Sequence, residues 1–244
     1  MKAVRNVIDS EVLGHPVFDL RDVSEAVDFA AWERDFIERE QPRYLGCRVS
    51  IEDLATVHRL ESLGFRWLEV LFRSTFKLRE RFDVSTFPYV YSEVSADDRE
   101  EVLEIARTTF THDRFSRDPD LQADVGGERY RRFVDKSIEA DDEFAFKLLN
   151  PNTEEIVGFH TYAYSGGKSA LFFIAGVKPE YKMLGLGTAL NYYALNEMHD
   201  RGIRRISTHQ SVSNFPILNL EVGHFGFRIV EAFVALRKLY PPGG

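Results

Sequence analysis

The sequence predicts a mixed α/β protein built around a central twisted sheet. Three observations favour this class: short apolar runs typical of strands, amphipathic segments between them, and glycine-containing turns at the junctions. The 244 residues are 44% hydrophobic and 29% charged, which is typical of a globular domain and excludes a disordered or fibrous chain. A chain of this length forms one large domain or two small ones.

Strands and helices alternate along the first third of the chain. The expected elements are strands at 12–20, 44–49 and 65–78 and helices at 24–40 and 50–64. Ser24 would cap the first helix, and Ser50 with Asp53 would form a capping box at the second. The polar stretch 79–86 reads as a linker between two parts of the chain.

The same alternation continues to the C-terminus. The expected elements are strands at 88–95, 143–149, 155–164, 169–177, 204–212 and 227–239, and helices at 97–109, 188–201 and 216–222. A further helix runs to about Glu139 and is broken by Gly126-Gly127.

A short internal repeat connects the two parts. Gly64-Phe-Arg-Trp-Leu-Glu69 matches Gly226-Phe-Arg-Ile-Val-Glu231 at an offset of 162, and each copy follows a strand and a helix. The alternative is chance, since glycine often supplies the positive φ of a turn. Duplication accounts better for the shared order of elements. We therefore expect an N-terminal unit at 1–84 and a C-terminal unit at 85–244.

The most informative segment is a buried strand that leads into a glycine-rich turn and then a helix. Its turn reads Lys182-x-x-Gly185-x-Gly187. Glycines let a ligand approach the backbone, and the free N–H groups of a first helical turn bind anions. The alternative is an ordinary strand-to-helix connection. The turn matches neither a Walker A loop nor a complete dinucleotide-binding fingerprint.

With its preceding residues this segment reads Val177-x-Pro179-x-x-Lys182-x-x-Gly185-x-Gly187, which resembles the acyl-CoA-binding motif of GNAT-type N-acetyltransferases. The resemblance covers about residues 88–240. It implies a GNAT fold, an acyl-CoA-dependent N-acyltransferase activity, and acetyl-CoA as the donor. Transfer would proceed by direct attack of an amine in a ternary complex, without a metal.

A narrower resemblance extends to the N-terminus. The segments Asp9-Ser-Glu-x-x-Gly14, Leu63-Gly-Phe65 and 110–119 are similar to the dTDP-fucosamine acetyltransferase group. This implies that a truncated GNAT-like half-domain precedes the complete domain. It also implies that the acceptor is a nucleotide-linked amino sugar, such as a dTDP-4-amino-4,6-dideoxyhexose. The alternatives are another small amine, a protein N-terminus, or a non-catalytic acyl-CoA-binding module.

The GNAT resemblance assigns residues to the donor. Those expected to contact CoA are Ile174, Ala175, Val177, Lys182, Met183, Leu184, Gly185, Leu186, Gly187, Thr188 and Asn214. A backbone N–H near Val177 would stabilise the oxyanion. Core packing is the alternative for Ile174 and Val177, and a helix N-cap is the alternative for Asn214.

Two residues are candidates for the acid that protonates the departing thiolate. Glu221 stands seven residues after Asn214, where the family often has a tyrosine. A carboxyl group with an ordinary pKa of about 4.3 is ionised at neutral pH and cannot donate a proton. His224 is therefore the second candidate.

The acceptor side is expected to use other side chains. Strand alternation places His160, Tyr162 and Tyr164 on one face, so His160 is a candidate base and the tyrosines are candidate contacts. Packing beneath a helix is the alternative for all three. His112, Arg114 and Phe115 are expected to bind the acceptor, with a solvated loop as the alternative.

Charge and composition disfavour other classes of partner. A net charge of −8 disfavours nucleic acid, and no apolar run is long enough to span a membrane. The single cysteine and scattered histidines predict no metal site. We expect a cytoplasmic protein.

Overall fold

The computed structural model describes residues 1–23, 28–181 and 185–241. Within these residues the strands are β1 (Lys2–Arg5), β2 (Val17–Arg21), β3 (Tyr44–Ser50), β4 (Arg66–Lys77), β5 (Val90–Glu93), β6 (Glu143–Asn150), β7 (Glu155–Tyr164), β8 (Ser169–Val177), β9 (Arg205–Ser211) and β10 (Arg228–Leu239). The helices are α1 (Val7–Leu13), α2 (Phe29–Glu40), α3 (Leu54–Ser62), α4 (Arg99–Thr109), α5 (Arg114–Arg117), α6 (Val125–Glu139), α7 (Leu186–Asp200) and α8 (Phe215–Leu218). A π-helical segment, Asn219–Phe225, continues α8.

All the described strands join one mixed sheet, which confirms the predicted fold class. Their order is β1-β2-β3-β10-β4-β9-β8-β7-β6-β5. The pairs β2–β3 and β8–β9 are parallel, and the other neighbours are antiparallel. The last strand of each unit crosses to the other unit, because β10 lies beside β3 and β4 lies beside β9.

The pairing of β4 with β10 is symmetric about one pair of residues. Leu71 lies opposite Phe233, its counterpart at the offset of 162 in the sequence. Ser211 also lies opposite Leu71, and Ser50 lies opposite Phe233. The two units therefore make equivalent strand pairs around a local two-fold axis and share one continuous sheet.

Helices cover both faces of this sheet. On one face Leu45 and Cys47 of β3 pack with Leu60 of α3, and α7 covers the strands of the C-terminal unit. On the opposite face α4 and α6 pack on β7 and β8, and Phe115 of α5 stacks on Tyr44. No helix in the described part of the chain is both long and apolar enough to cross a membrane.

The N-terminal segment differs from its prediction. The expected strand at 12–20 begins only at Val17, because Asn6 caps α1 and Gly14 ends it at a φ of 66°. Asp28 caps α2 through the amides of Ala30 and Ala31, while the predicted cap Ser24 lies outside the described residues. Neither β1 nor the short helix α5 was predicted.

Gly126 and Gly127 do not break a helix, which corrects a second prediction. Both lie in the first turn of α6. A Cβ atom on Gly126 would lie 2.9 Å from the Cα of Ser116, and one on Gly127 would lie 2.5 Å from the carbonyl oxygen of Arg107. The two glycines therefore let α6 approach α4 and α5 closely.

Gly127→Ala should destabilise the protein, because the added methyl group meets backbone that cannot move without displacing α4. We expect a loss of about 1–3 kcal/mol in the free energy of unfolding, measured by urea denaturation. Gly223→Ala is the matched control, since a Cβ there meets nothing within 4 Å. Equal stability of the two variants would contradict this account.

Candidate functional site

Strands β8 and β9 pair only at their first residues and then separate. Their parallel contacts join Ser169–Phe172 to Arg205–Thr208. A β-bulge at Phe173, where Thr161 pairs with Ile174 and Tyr162 with Phe172, turns β8 at the point of separation. From there to Val177, no strand among the described residues pairs with the edge of β8 that faces β9.

A cavity of about 730 Å³ opens at this separation. The free edge of β8, the start of α7 and the α8–π segment form one end. The loop at 109–115, α6 and strands β3, β4 and β9 form the other end. We call these the donor end and the acceptor end.

The donor end has space beside the first turn of α7. Gly185 precedes this helix with a φ of 77°, a backbone conformation that favours glycine. A Cβ on Gly185 would meet nothing within 4 Å, and one on Gly187 would approach only Leu220, at 3.9 Å. First-turn amides lack intrahelical acceptors, so this space suits an anionic group such as the CoA pyrophosphate.

The free edge of β8 continues from this helix start into the cavity. Unpaired strand edges bind extended amide-containing chains by adding them as a strand, and pantetheine is such a chain. The cavity and the open glycine cradle therefore fit acyl-CoA in both shape and hydrogen-bonding capacity.

Glu221 is a buried carboxyl group in the wall of the donor end. It lies in the π-helical segment, it is among the residues that line the cavity, and it is only 1% exposed. Its Oε2 has no hydrogen-bond partner within the described residues. Burial raises the pKa of this carboxyl group to about 8. This shift favours the protonated form of Glu221 at neutral pH.

The acceptor end is charged, and much of its charge comes from the N-terminal unit. Glu69 of β4 and Arg48 of β3 line it together with Arg114. Glu69 is 7% exposed and lies with its Oε1 3.7 Å from Nη1 of Arg114. Burial raises the pKa of Glu69, an effect opposed by Arg114 and by a hydrogen bond from Ser211.

Many predicted site residues line this cavity. On the donor side they are Ile174, Ala175, Val177, Gly185, Leu186, Gly187, Thr188, Asn214 and Glu221, and on the acceptor side they are His112, Arg114 and Phe115. Asn214 also caps α8, with its Oδ1 3.4 Å from the amide of Ile217. The predicted contacts Lys182, Met183 and Leu184 lie outside the described residues.

His160, Tyr162 and Tyr164, the predicted acceptor-side residues of β7, do not line this cavity. His160 is fully buried, its ring centroid is 4.0 Å from that of Phe172, and burial lowers its pKa to about 3. The hydroxyl of Tyr162 donates a 2.7 Å hydrogen bond to Glu197 of α7. Tyr164 packs edge-on against Phe144 at the far end of β7. All three lie outside the cavity lining, and His160 and Tyr162 pack beneath α7.

His224, the second candidate acid, also does not line the cavity. It is exposed outside the cavity, and its Nε2 lies 2.8 Å from the hydroxyl of Tyr192. Of the two candidate acids, Glu221 is the one that reaches the cavity.

Several cavity residues were not predicted. Arg48 and Glu69 come from the N-terminal unit, and Arg129, His209 and Ser211 come from α6 and β9. Glu69 ends the first copy of the internal repeat, but no local pattern around it indicates a site.

Glu221→Gln should change how stability depends on pH. The pKa of Glu221 is about 8 when folded and about 4.5 when unfolded, so the unfolded chain loses its proton first as the pH rises. The free energy of unfolding of the wild type therefore falls between those pH values, whereas the variant lacks this term. We expect the variant to gain about 2–4 kcal/mol relative to wild type over that interval, measured by urea denaturation. Parallel pH profiles would contradict the raised pKa.

Sequence comparison identifies a family across the C-terminal unit. The model of the family described as "Acetyltransferase (GNAT) family" matches residues 99–227, which is more than half of the chain. No curated protein matches the sequence significantly.

Solved structures with the same fold cover nearly the whole chain. A GCN5-related N-acetyltransferase from Sphaerobacter thermophilus has a TM-score of 0.69 and 13% identity over 99% of this chain and 76% of its own. A tandem GNAT protein from the clavulanic acid biosynthesis pathway has a TM-score of 0.64 and 16% identity, over 95% and 77%. A GCN5-related N-acetyltransferase from Kribbella flavida has a TM-score of 0.58 and 14% identity, over 94% and 82%.

These structures share the fold of the chain, and the family match adds the activity. GNAT enzymes take the acetyl group from acetyl-CoA and transfer it to an amine, which fits a cavity with a helix N-terminus at one end and charged side chains at the other. The chain belongs to the acetyltransferase (GNAT) family and is an N-acetyltransferase.

Proposed function

We propose that this enzyme transfers an acetyl group from CoA to the amine of a nucleotide-linked amino sugar, with a dTDP-4-amino-4,6-dideoxyhexose as the first candidate. The observation that carries this proposal is the single cavity that joins the start of α7 to an arginine-lined acceptor end. Arg48 and Arg114 suit the phosphates of a nucleotide sugar. The resemblance to dTDP-fucosamine acetyltransferases supports the same acceptor.

The transfer is direct rather than through an acyl-enzyme. Cys47, the single cysteine, is buried in the core of the N-terminal unit away from the cavity, and burial raises the pKa of its thiol to about 12. It is therefore unsuited to act as a nucleophile. The acceptor amine itself attacks the thioester carbonyl carbon, so both substrates occupy the cavity together.

Backbone and side-chain groups have separate tasks in this step. A backbone N–H on the free edge of β8 stabilises the carbonyl oxygen as it gains negative charge. The new C–N bond forms as the C–S bond breaks, and the protonated carboxyl group of Glu221 gives its proton to the departing sulfur. A thiol has a pKa of about 8.5, so this donation assists departure without being indispensable.

Glu221→Gln should reduce kcat by about tenfold to a hundredfold at neutral pH, because the amide cannot donate its proton to the thiolate. In the wild type kcat should also fall above a pH of about 8, where Glu221 ionises, and the variant should lose this alkaline fall. The measurement is kcat against pH at saturating substrates. His224→Gln is the control and should keep the wild-type profile, since His224 lies outside the cavity. An alkaline fall that persists in Glu221→Gln would exclude Glu221 as the acid.

The acceptor is tested by thiol release from acetyl-CoA with a panel of dTDP- and UDP-linked 3-amino and 4-amino sugars. We expect saturable release with at least one nucleotide sugar, and none without an acceptor. If thiol is released with other small amines or peptide N-termini but with no sugar, the acceptor belongs to one of those classes instead. Tight CoA binding in calorimetry without release for any amine would instead indicate a binding module.

A further inference from the structure

Arg48 and Glu69 form a pair of charges on one face of the sheet, both from the N-terminal unit. Ala235 of β10 pairs with Arg48 on one side and with Glu69 on the other. Directly paired residues of antiparallel strands point to the same face. Two inter-strand spacings separate the two Cα atoms by about 10 Å, and the small side chain of Ala235 lies between them.

Glu69 is only partly satisfied by its neighbours. Its Oε1 lies 3.7 Å from Nη1 of Arg114, and Arg114 and Ser211 both lower its pKa. Its Oε2 is buried and has no partner in the part of the chain that the structure describes. The other charged or titratable groups that influence it are Arg48, Asp113 and Tyr130. An unsatisfied buried carboxylate oxygen is costly, and a bound N–H donor would remove that cost.

Arg48 is the complementary feature. Arg48 is exposed and its side chain lines the cavity, where it makes no hydrogen bond or ion pair with any described residue. Arg129, by contrast, is held by Asp9 at 2.6 Å, and Arg114 is shared with Glu69. The surrounding protein and the charge of Arg114 lower the pKa of Arg48 to about 10, but the guanidinium remains charged at neutral pH. An unpaired guanidinium in a cavity favours an anionic ligand.

We propose that Glu69 binds the ammonium group of the acceptor and accepts its proton, while Arg48 binds an anionic group, carboxylate or phosphate, on the same molecule. This rests on the proposed acetyl transfer. One N–H bond of the ammonium breaks and its proton passes to the Glu69 carboxylate, which leaves a neutral amine with a lone pair for attack. Glu69 later releases the proton to water. The N-terminal unit thus selects amines that carry negative charge elsewhere.

The base is tested with Glu69→Gln, which keeps the shape of the side chain and removes its ability to accept a proton. We expect kcat to fall by about a hundredfold or more, with the affinity for acetyl-CoA in calorimetry unchanged. Glu231→Gln is the matched control, because Glu231 is the counterpart of Glu69 in the repeat but is exposed and paired with Arg73. It should keep wild-type kcat.

His209 is the rival base, since it also lines the acceptor end. Burial, Arg48 and Arg73 all lower its pKa, which keeps it neutral and weakly basic. Protonation of the base should lower kcat at acidic pH, and we expect this acidic limb to persist in His209→Gln. Loss of that limb in His209→Gln, with Glu69→Gln still active, would overturn the role of Glu69.

The anion contact is tested with Arg48→Gln against three acceptors of similar size: an amine with a phosphate group, one with a carboxylate, and one without charge. We expect KM to rise at least tenfold for the anionic acceptors and to stay unchanged for the neutral one. Whichever anionic acceptor has the lower wild-type KM identifies the anion. Arg66→Gln, an exposed arginine of β4 outside the cavity, is the control.

The outcomes separate this inference from the proposed function. If the wild-type enzyme releases no thiol with any amine, both the proposed function and this inference are wrong. An active wild type whose Glu69→Gln variant keeps its kcat, or whose Arg48→Gln variant shifts KM equally for all three acceptors, overturns the inference alone.

Discussion

The exchange of the two long strands β4 and β10 is the constraint on which the site depends. β4 ends the N-terminal unit but pairs with β9, and β10 ends the C-terminal unit but pairs with β3. Neither unit therefore has a complete sheet by itself. Because β4 lies against β9, residues of the N-terminal unit reach the cavity that opens beside β9.

The π-helical segment contains one residue more than the corresponding part of the N-terminal unit. Gly64 follows Ser50 by 14 positions, whereas Gly226 follows Ser211 by 15, although both pairs occupy equivalent places at the two-fold axis. A π-helical turn accommodates an additional residue without shifting the strands that flank it. Glu221 lies in this segment, and its carbonyl oxygen accepts a 2.9 Å hydrogen bond from the amide of Phe227. The extra residue thus coincides with the buried acid.

The sequence predicts most of the strands and the donor end, because both depend on local patterns. The glycine spacing before α7 and the apolar run of β8 are read directly from neighbouring residues. The alternation of side chains along β7 also places His160 and Tyr162 correctly on the same face of the sheet. It does not indicate which of the two faces of the sheet holds the ligand. Arg48 and Glu69 are beyond such reasoning, since they reach the cavity only through strand pairings distant in sequence.

Two buried carboxyl groups at opposite ends of one cavity differ in what surrounds them. Glu221 has no cation or hydrogen-bond donor to its Oε2 in the described structure, so burial alone sets its pKa and the proton stays. Glu69 is buried to a similar degree, but Arg114 and Ser211 favour its charged form, and a bound ammonium group would favour it further. Different surroundings can thus keep one carboxyl group protonated and another ionised at the same pH, so that one can act as an acid and the other as a base. In the proposed mechanism, this difference sets the direction of proton flow: the proton of the amine passes to Glu69, and the proton of Glu221 passes to the sulfur.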